Sequence, residues 1–234
     1  MSESLVKYCL QQFNLEPDKV LNLLPDDLKL RLSGDILTVE DEQQNLSLHI
    51  DFDSGAMAHR ARQHPGAEKL IKACKIQGKA EGQVLDATAG MGRDAFLLQQ
   101  AGFQVTATER HPVVYALLQN ALDRHRIAAN GHVAFELLNQ SAEVILAEKR
   151  FDVVYLDPMF PNRSKSAQVK KDMFVLQKLL QGTETGMESL LKAAQSAANK
   201  LVIKRPIKAV ALLATKPTYQ LLGKTCRFDV YQLA

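Results

Sequence analysis

The sequence predicts an α/β protein: a doubly wound, seven-stranded sheet with helices on both faces, behind a small N-terminal α+β segment. Three observations carry this reading. From Val84 onward, short apolar runs alternate with helical periodicities, the pattern of a mainly parallel sheet. The stretch Val84-Leu85-Asp86-Ala87-Thr88-Ala89-Gly90-Met91-Gly92-Arg93-Asp94-Ala95-Phe96 sets a two-glycine turn between one such run and a helix start. That layout makes a nucleotide-type pocket, because glycine lets a ligand approach the backbone and the first helical N–H groups are free to donate. Finally, Asp86, Glu109 and Asp157 each close a predicted strand, where doubly wound sheets bind ligands.

The elements follow in order. Residues 3–13 read as a short amphipathic helix, with Leu5, Val6, Cys9, Leu10 and Phe13 on one face. Pro17 and Pro25 interrupt the chain. Leu28, Leu30 and Leu32 then alternate with Lys29 and Arg31, 35–40 follows as a second strand, and Leu46, Leu48 and Ile50 alternate in a third. Joined by short polar turns, these predict an antiparallel meander, so that 1–54 forms an N-terminal unit and 55–234 the main domain. Asp53 to Gly66 reads as a connector, and 67–76 as a helix. In the main domain, 104–109 is the second strand. Pro112 opens a long helix, and Val133, Phe135 and Leu137 mark the third strand. Residues 141–147 form a short helix, 151–156 a buried fourth strand and 157–169 a loop. Two helices, 171–180 and 187–198, lead to a fifth strand at 201–203, and 218–222 with 227–232 form a closing hairpin. Five parallel units plus a terminal hairpin describe the class I methyltransferase variant of the Rossmann-like sheet.

Size and composition agree with one α/β domain and an appendage. The 234 residues carry a formal charge of +3, compatible with nucleic acid without being diagnostic of it. No apolar run approaches the ~18 residues of a membrane span, and the N-terminus lacks the features of a signal peptide, so a cytoplasmic protein is expected. Three scattered cysteines read as reduced thiols, and the six histidines show no metal spacing. No metal and no obligate protein partner are expected.

The acids narrow the ligand. Gly-x-Gly-x-x-Ala alone also fits a dinucleotide. Asp86 and Asp94 would repel a pyrophosphate, however: at about 4 Å, two unit charges in an effective dielectric of ~20 interact by ~4 kcal/mol. A ligand with an ammonium and a sulfonium is attracted instead, and S-adenosyl-L-methionine is such a ligand. Gly90, Arg93 and Asp94 belong to this pocket. Asp86 could also cap the turn, and Asp94 could complement the helix dipole. Glu109 suits ribose hydroxyls, Arg110 the adenine or Glu109, and Ser141-Ala142 the adenine amine, although Ser141 fits a helix N-cap equally well. The second motif is Asp157-Pro158-Met159-Phe160. A carboxylate and a backbone carbonyl accepting both N–H bonds of a delocalised amine would favour a pyramidal, nucleophilic nitrogen. Phe160 could stack on the base, a contact of ~1–3 kcal/mol. Arg163, Lys165, Lys170 and Lys171 follow as a phosphate-contacting segment, and Lys204-Arg205 could extend that basic surface.

These motifs, with Glu109-Arg110-His111-Pro112-Val113-Val114, Val154 to Pro161, Lys165 to Lys171 and Lys204-Arg205-Pro206, resemble the ribosomal RNA small subunit methyltransferase J family over residues 50 to 234. The resemblance implies methylation of a guanine N2 in 16S rRNA, in free RNA or the small subunit, with S-adenosylmethionine as donor. It implies cofactor contacts at Arg93, Asp94, Glu109, Arg110 and Asp157, with a further one near Ser141 and Ala142. The residues by themselves leave open an amino methyltransferase acting on another base or a protein amide, an NAD-linked oxidoreductase, and a non-catalytic RNA-binding module.

Overall fold

The structure is a computed structural model; it describes residues 3–62, 68–79, 81–132, 134–158, 171–182 and 186–233. The N-terminal part comprises α1 (Glu3–Gln12), α2 (Pro17–Leu21), β1 (Leu28–Ser33), β2 (Ile36–Asp41) and β3 (Leu46–Leu48). The three strands form the expected antiparallel meander, in the order β1-β2-β3. Two helices, α3 (Gly55–Arg62) and α4 (Lys69–Cys74), lead into β4 (Gln83–Asp86), α5 (Arg93–Gln100), β5 (Gln104–Thr108) and α6 (Pro112–Ala128). Then come β6 (Glu136–Leu138), α7 (Ala142–Glu148), β7 (Phe151–Leu156), α8 (Lys171–Leu179) and α9 (Met187–Ala197). The chain closes with β8 (Ala198–Pro206), β9 (Tyr219–Leu222) and β10 (Cys226–Gln232).

The large sheet has the order β6-β5-β4-β7-β8-β10-β9; its first five strands are parallel, and β10 runs antiparallel to both neighbours. Strand order reverses at β4, so the exits of β4 and β7 flank the crevice at the switch point. Successive side chains feed opposite faces. Val84, Val153, Tyr155 and Val202 join one buried cluster, while Leu85, Val154, Leu156, Leu201 and Ile203 join the other. This two-sided burial is why the strands read as unbroken apolar runs. The first cluster continues into the meander through Leu30, Leu37, Val39 and Leu48. Asn120 of α6 fastens the two parts, accepting the Leu37 N–H (3.0 Å) and donating to the Asp35 carbonyl (2.9 Å).

Four expectations are corrected. The stretch 55–62, expected as connector, is helical. Its inward face is too slight to signal a helix, with Ala58 buried and Met57 partly so. Pro17 does not merely interrupt the chain but opens α2, at a position where its missing N–H costs nothing. The third strand begins at Glu136, and Val133 lies outside the described residues. The fifth parallel strand spans nine residues, because β10 pairs with it from Lys200 to Pro206 and carries it through Lys204 and Arg205. The loop expected at 157–169 falls, from Met159 on, outside the described residues.

Candidate active site

The glycine turn is laced to the strands on both sides of β4. Ala87 N–H donates to the Tyr155 carbonyl of β7 (3.0 Å), and Ala89 N–H to the Thr108 carbonyl of β5 (3.1 Å). Gly90 and Gly92 take φ of 53° and 66°, in the left-handed region. Gly92 is doubly constrained: a Cβ there would stand 2.6 Å from Leu118 Cδ1 and 3.1 Å from Phe135 Cζ. Beside Gly90 the space is open, with only the Thr88 carbonyl oxygen near, at 3.9 Å. The turn therefore closes against the core at Gly92 and offers an uncovered backbone at Gly90.

Glu109 leaves the end of β5 and reaches back to this turn. Its Oε2 accepts the Gly90 N–H (3.0 Å) and its Oε1 accepts the His111 N–H (2.7 Å). Burial raises its pKa above the ordinary carboxylate value, against the pull of those two donors. Each oxygen keeps a second lone pair, so the acid can fix the turn and still accept ligand hydroxyls.

Three further carboxylates meet where β4, α5 and β7 converge. Asp86 is 2% exposed, and its Oδ1 accepts the Thr88 N–H at 3.2 Å. Its pKa is pushed up to about 8, chiefly by burial and next by the negative charge of Asp94. Asp94 behaves oppositely. Burial would raise it, but Lys204, the Tyr155 hydroxyl and Arg60 outweigh that and hold it below its ordinary value. Tyr155 Oη donates to Asp94 Oδ2 at 2.6 Å, Lys204 Nζ donates to the same oxygen at 2.8 Å, and Arg60 Nη1 stands 4.0 Å from Oδ1. Lys204 also donates to Asp157 Oδ2 at 2.7 Å. The Asp157 pKa is raised, by burial first and by Asp94, with Lys204 opposing. The Asp157 backbone N–H donates to Thr88 Oγ1 (2.8 Å), which ties the start of the second motif to the first. Even so, 38% of the Asp157 side chain stays open to solvent.

The structure thus brings Asp86, Gly90, Asp94, Glu109 and Asp157 to one rim, and Pro158 is buried beside them. Arg93 starts α5 at the rim, but its guanidinium is held by Asp172 of α8 at 2.6 Å. Arg110 is exposed next to Glu109. Ser141 sits at the N-cap of α7 without a side-chain cap bond, and Ala142 is buried in the core of the second face. Phe160, Arg163, Lys165 and Lys170 lie outside the described residues, and Lys171 is the first residue of α8.

Two expected phosphate contacts are corrected. Lys204 does not reach outward; its ammonium bridges Asp94 and Asp157, and its pKa is raised by those charges despite burial. Arg205, on the opposite side of the strand, is 5% exposed and donates to the Val210 carbonyl (3.2 and 2.9 Å). Alternation along β8 sends the two neighbouring cations to different places, neither of them an outer surface. Sequence reading missed Tyr155 and Thr88 as site residues. The available signal was a tyrosine two residues before the strand-ending Asp157, and a lysine closing the run Leu201-Val202-Ile203.

The same arrangement has relatives. Residues 9–233 match the family model for SAM-dependent methyltransferases. The chain is 43% identical over 192 residues to the ribosomal RNA small subunit methyltransferase J of Dechloromonas aromatica, covering 79% of this chain and 78% of that one. It is 42% identical over 213 residues to the protein of that name from a Shewanella species, covering 87% and 81%. The chain belongs to the ribosomal RNA small subunit methyltransferase J family. A crystal structure of a SAM-dependent methyltransferase from Neisseria gonorrhoeae superposes with a TM-score of 0.73 at 31% identity, covering 99% of this chain and 92% of that one. This family member is therefore a methyltransferase that uses S-adenosylmethionine. The rim fits that donor, with acids at the exits of β4, β5 and β7 and an open glycine turn between them. Its charge is less negative than three aspartates suggest: burial and the Asp94 charge push the Asp86 pKa up to about 8, and Lys204 bridges the other two.

Proposed function

We propose that this chain methylates the exocyclic N2 of a guanine in 16S rRNA of the small ribosomal subunit, in the cytoplasm. Its relatives bear the name of small-subunit rRNA methyltransferases, which supports the substrate class. The guanine amine is supported by one observation above all: a partly open carboxylate, Asp157, fixed by its own backbone to the glycine turn through Thr88. An exocyclic amine must sit within a few ångströms of the methyl donor with its lone pair turned toward it, and a carboxylate tied to the glycine turn supports such a placement.

When bound, S-adenosylmethionine supplies a methyl group on a positively charged sulfur, open to attack by a nucleophile. Asp86 and Asp94 would attract the donor's cationic end, and Glu109 would accept its ribose hydroxyls. Gly90 would let it approach the backbone, and Ser141, Ala142 and Arg110 would border the adenine. Arg93 would serve the donor's carboxylate by exchanging its bond to Asp172. Lys204 holds Asp157 through Oδ2 and opposes the upward push of burial and of the Asp94 charge on its pKa. Asp157 then accepts one N–H of the guanine amine, the Pro158 carbonyl accepts the other, and nitrogen is biased toward a pyramidal, nucleophilic form. The carboxylate is also placed to take the proton that nitrogen sheds on alkylation. Phe160 would stack on the base, and Arg163, Lys165, Lys170 and Lys171 would contact phosphates. The N-terminal part, 1–54, would brace the methyltransferase domain through the core they share.

Asp157→Ala tests the assignment. Turnover on small-subunit RNA is expected to fall roughly 10²–10⁴-fold, with an unchanged melting temperature. Near-normal turnover would refute the role given to this carboxylate.

A further inference from the structure

The exit of β8 carries a second feature, on the same rim as the site but outside it. Two buried arginines hold the backbone of the turn that follows. Arg205 donates to the Val210 carbonyl, and Arg227 Nη1 donates to the carbonyls of Pro206 (3.1 Å) and Ile207 (2.6 Å). Arg227 is itself gripped by fully buried Asp229 (2.8 and 3.1 Å). The turn closes with Ala209 N–H on the Pro206 carbonyl at 3.0 Å. Burying two guanidinium groups for a mere connection would be costly, since each must be fully hydrogen-bonded to offset its desolvation. What they hold in place is exposed: Val210 is 81% and Ile207 39% accessible, and Lys208 is exposed between them.

The turn has a neighbour. Cys226 of β10 pairs with Pro206, so the β9–β10 turn, with exposed Lys224, stands beside it, next to Leu222 at 57% exposure. From 206 to 228 the chain has no Asp or Glu, while it carries Lys208, Lys216, Lys224 and Arg227. Lys204, two residues before this turn, reaches into the carboxylate cluster.

We propose that the rim formed by turn 206–210 and turn 223–225 docks the RNA strand flanking the target nucleotide. Lys208 and Lys224 contact its phosphates, and Val210 packs on an unstacked base or a sugar. The charge argues for this occupant: exposed lysines on a stretch of chain that carries no acid suit a polyanion. So does the pre-formed apolar tip, because unstacked bases offer flat faces to such contacts. Continuity with the site argues the same, since any RNA presenting a base to Asp157 must pass nearby.

This inference rests on the RNA reading above, and one experiment separates the two. Methylation of small ribosomal subunits lacking the modification is measured at several salt concentrations for the wild type, K208A/K224A and V210D. The double variant is expected to raise KM for the subunit roughly 5–50-fold at about 0.15 M salt and to flatten the logarithmic salt dependence by ~1–2. S-adenosylmethionine affinity and melting temperature should hold. V210D should raise KM as well. A KM and salt slope equal to wild type in the double variant would overturn the rim proposal, as would a V210D effect confined to oligomeric state. A wild-type enzyme that leaves subunits unmethylated would instead sink the RNA reading itself.

Discussion

Asp86 shows how one residue can be costly in the free protein and useful in the complex. Its pKa of about 8, raised mainly by burial, means that the folded chain keeps a proton which the unfolded chain loses near pH 4. Between those values the folded state binds more protons, so the stability of the free protein falls as pH rises from about 4 to 8. Asp86→Asn removes this dependence while keeping an acceptor for Thr88. The free variant should be more stable by up to a few kcal/mol at pH 8, with the gain fading toward pH 4. A bound cation would favour the ionised carboxylate, so donor affinity in the wild type should rise with pH up to about 8, and the variant should lose both affinity and slope. Thermal melts and titration calorimetry across that range measure the two effects. Of these site residues, the sequence exposes the acids readily, because an acid closing an apolar run is conspicuous. It does not expose Lys204 or Tyr155, because which face of a strand a side chain takes depends on pairing partners far away in the chain.

The turn between β4 and α5 is the element on which the site hinges, and its glycines are not equivalent. At Gly90 a side chain would meet open space, whereas at Gly92 it would meet Leu118 and Phe135, both buried. Gly92→Ala adds left-handed strain to overpacking and should cost ~1–3 kcal/mol, read from denaturant unfolding. Donor binding should weaken with it as Glu109 loses its register on Gly90. A Gly92→Ala protein as stable as the wild type would show that the turn is looser than described. Long helices such as α6 and apolar runs such as β7 are legible from sequence alone. Helix α3 was not, since a short helix with small inward residues carries almost no periodic signal, and the length of β8 was set by its partner β10.

At the scale of the whole molecule, the fold acts as a joint between two chemistries. The parallel strands bring acids from Asp86 to Asp157 to one crevice, and the long β8 links that crevice to a lysine-bearing rim. The meander shares its core with one face of the sheet and packs against α8, whose first residues hold Arg93 at the glycine turn. The overall architecture was readable because strand and helix alternate after Val84. The union of meander and sheet in one core was not, since it depends on contacts such as Asn120 with Asp35 and Leu37. The central claim is that this crevice moves a methyl group from S-adenosylmethionine to a guanine amine in small-subunit RNA. Nucleoside mass spectrometry of unmodified small subunits, incubated with the protein and an isotope-labelled donor, tests it directly. Labelled N2-methylguanosine from the wild type, absent with Asp157→Ala, is the predicted result; label on adenine, on protein, or on no product at all would contradict it.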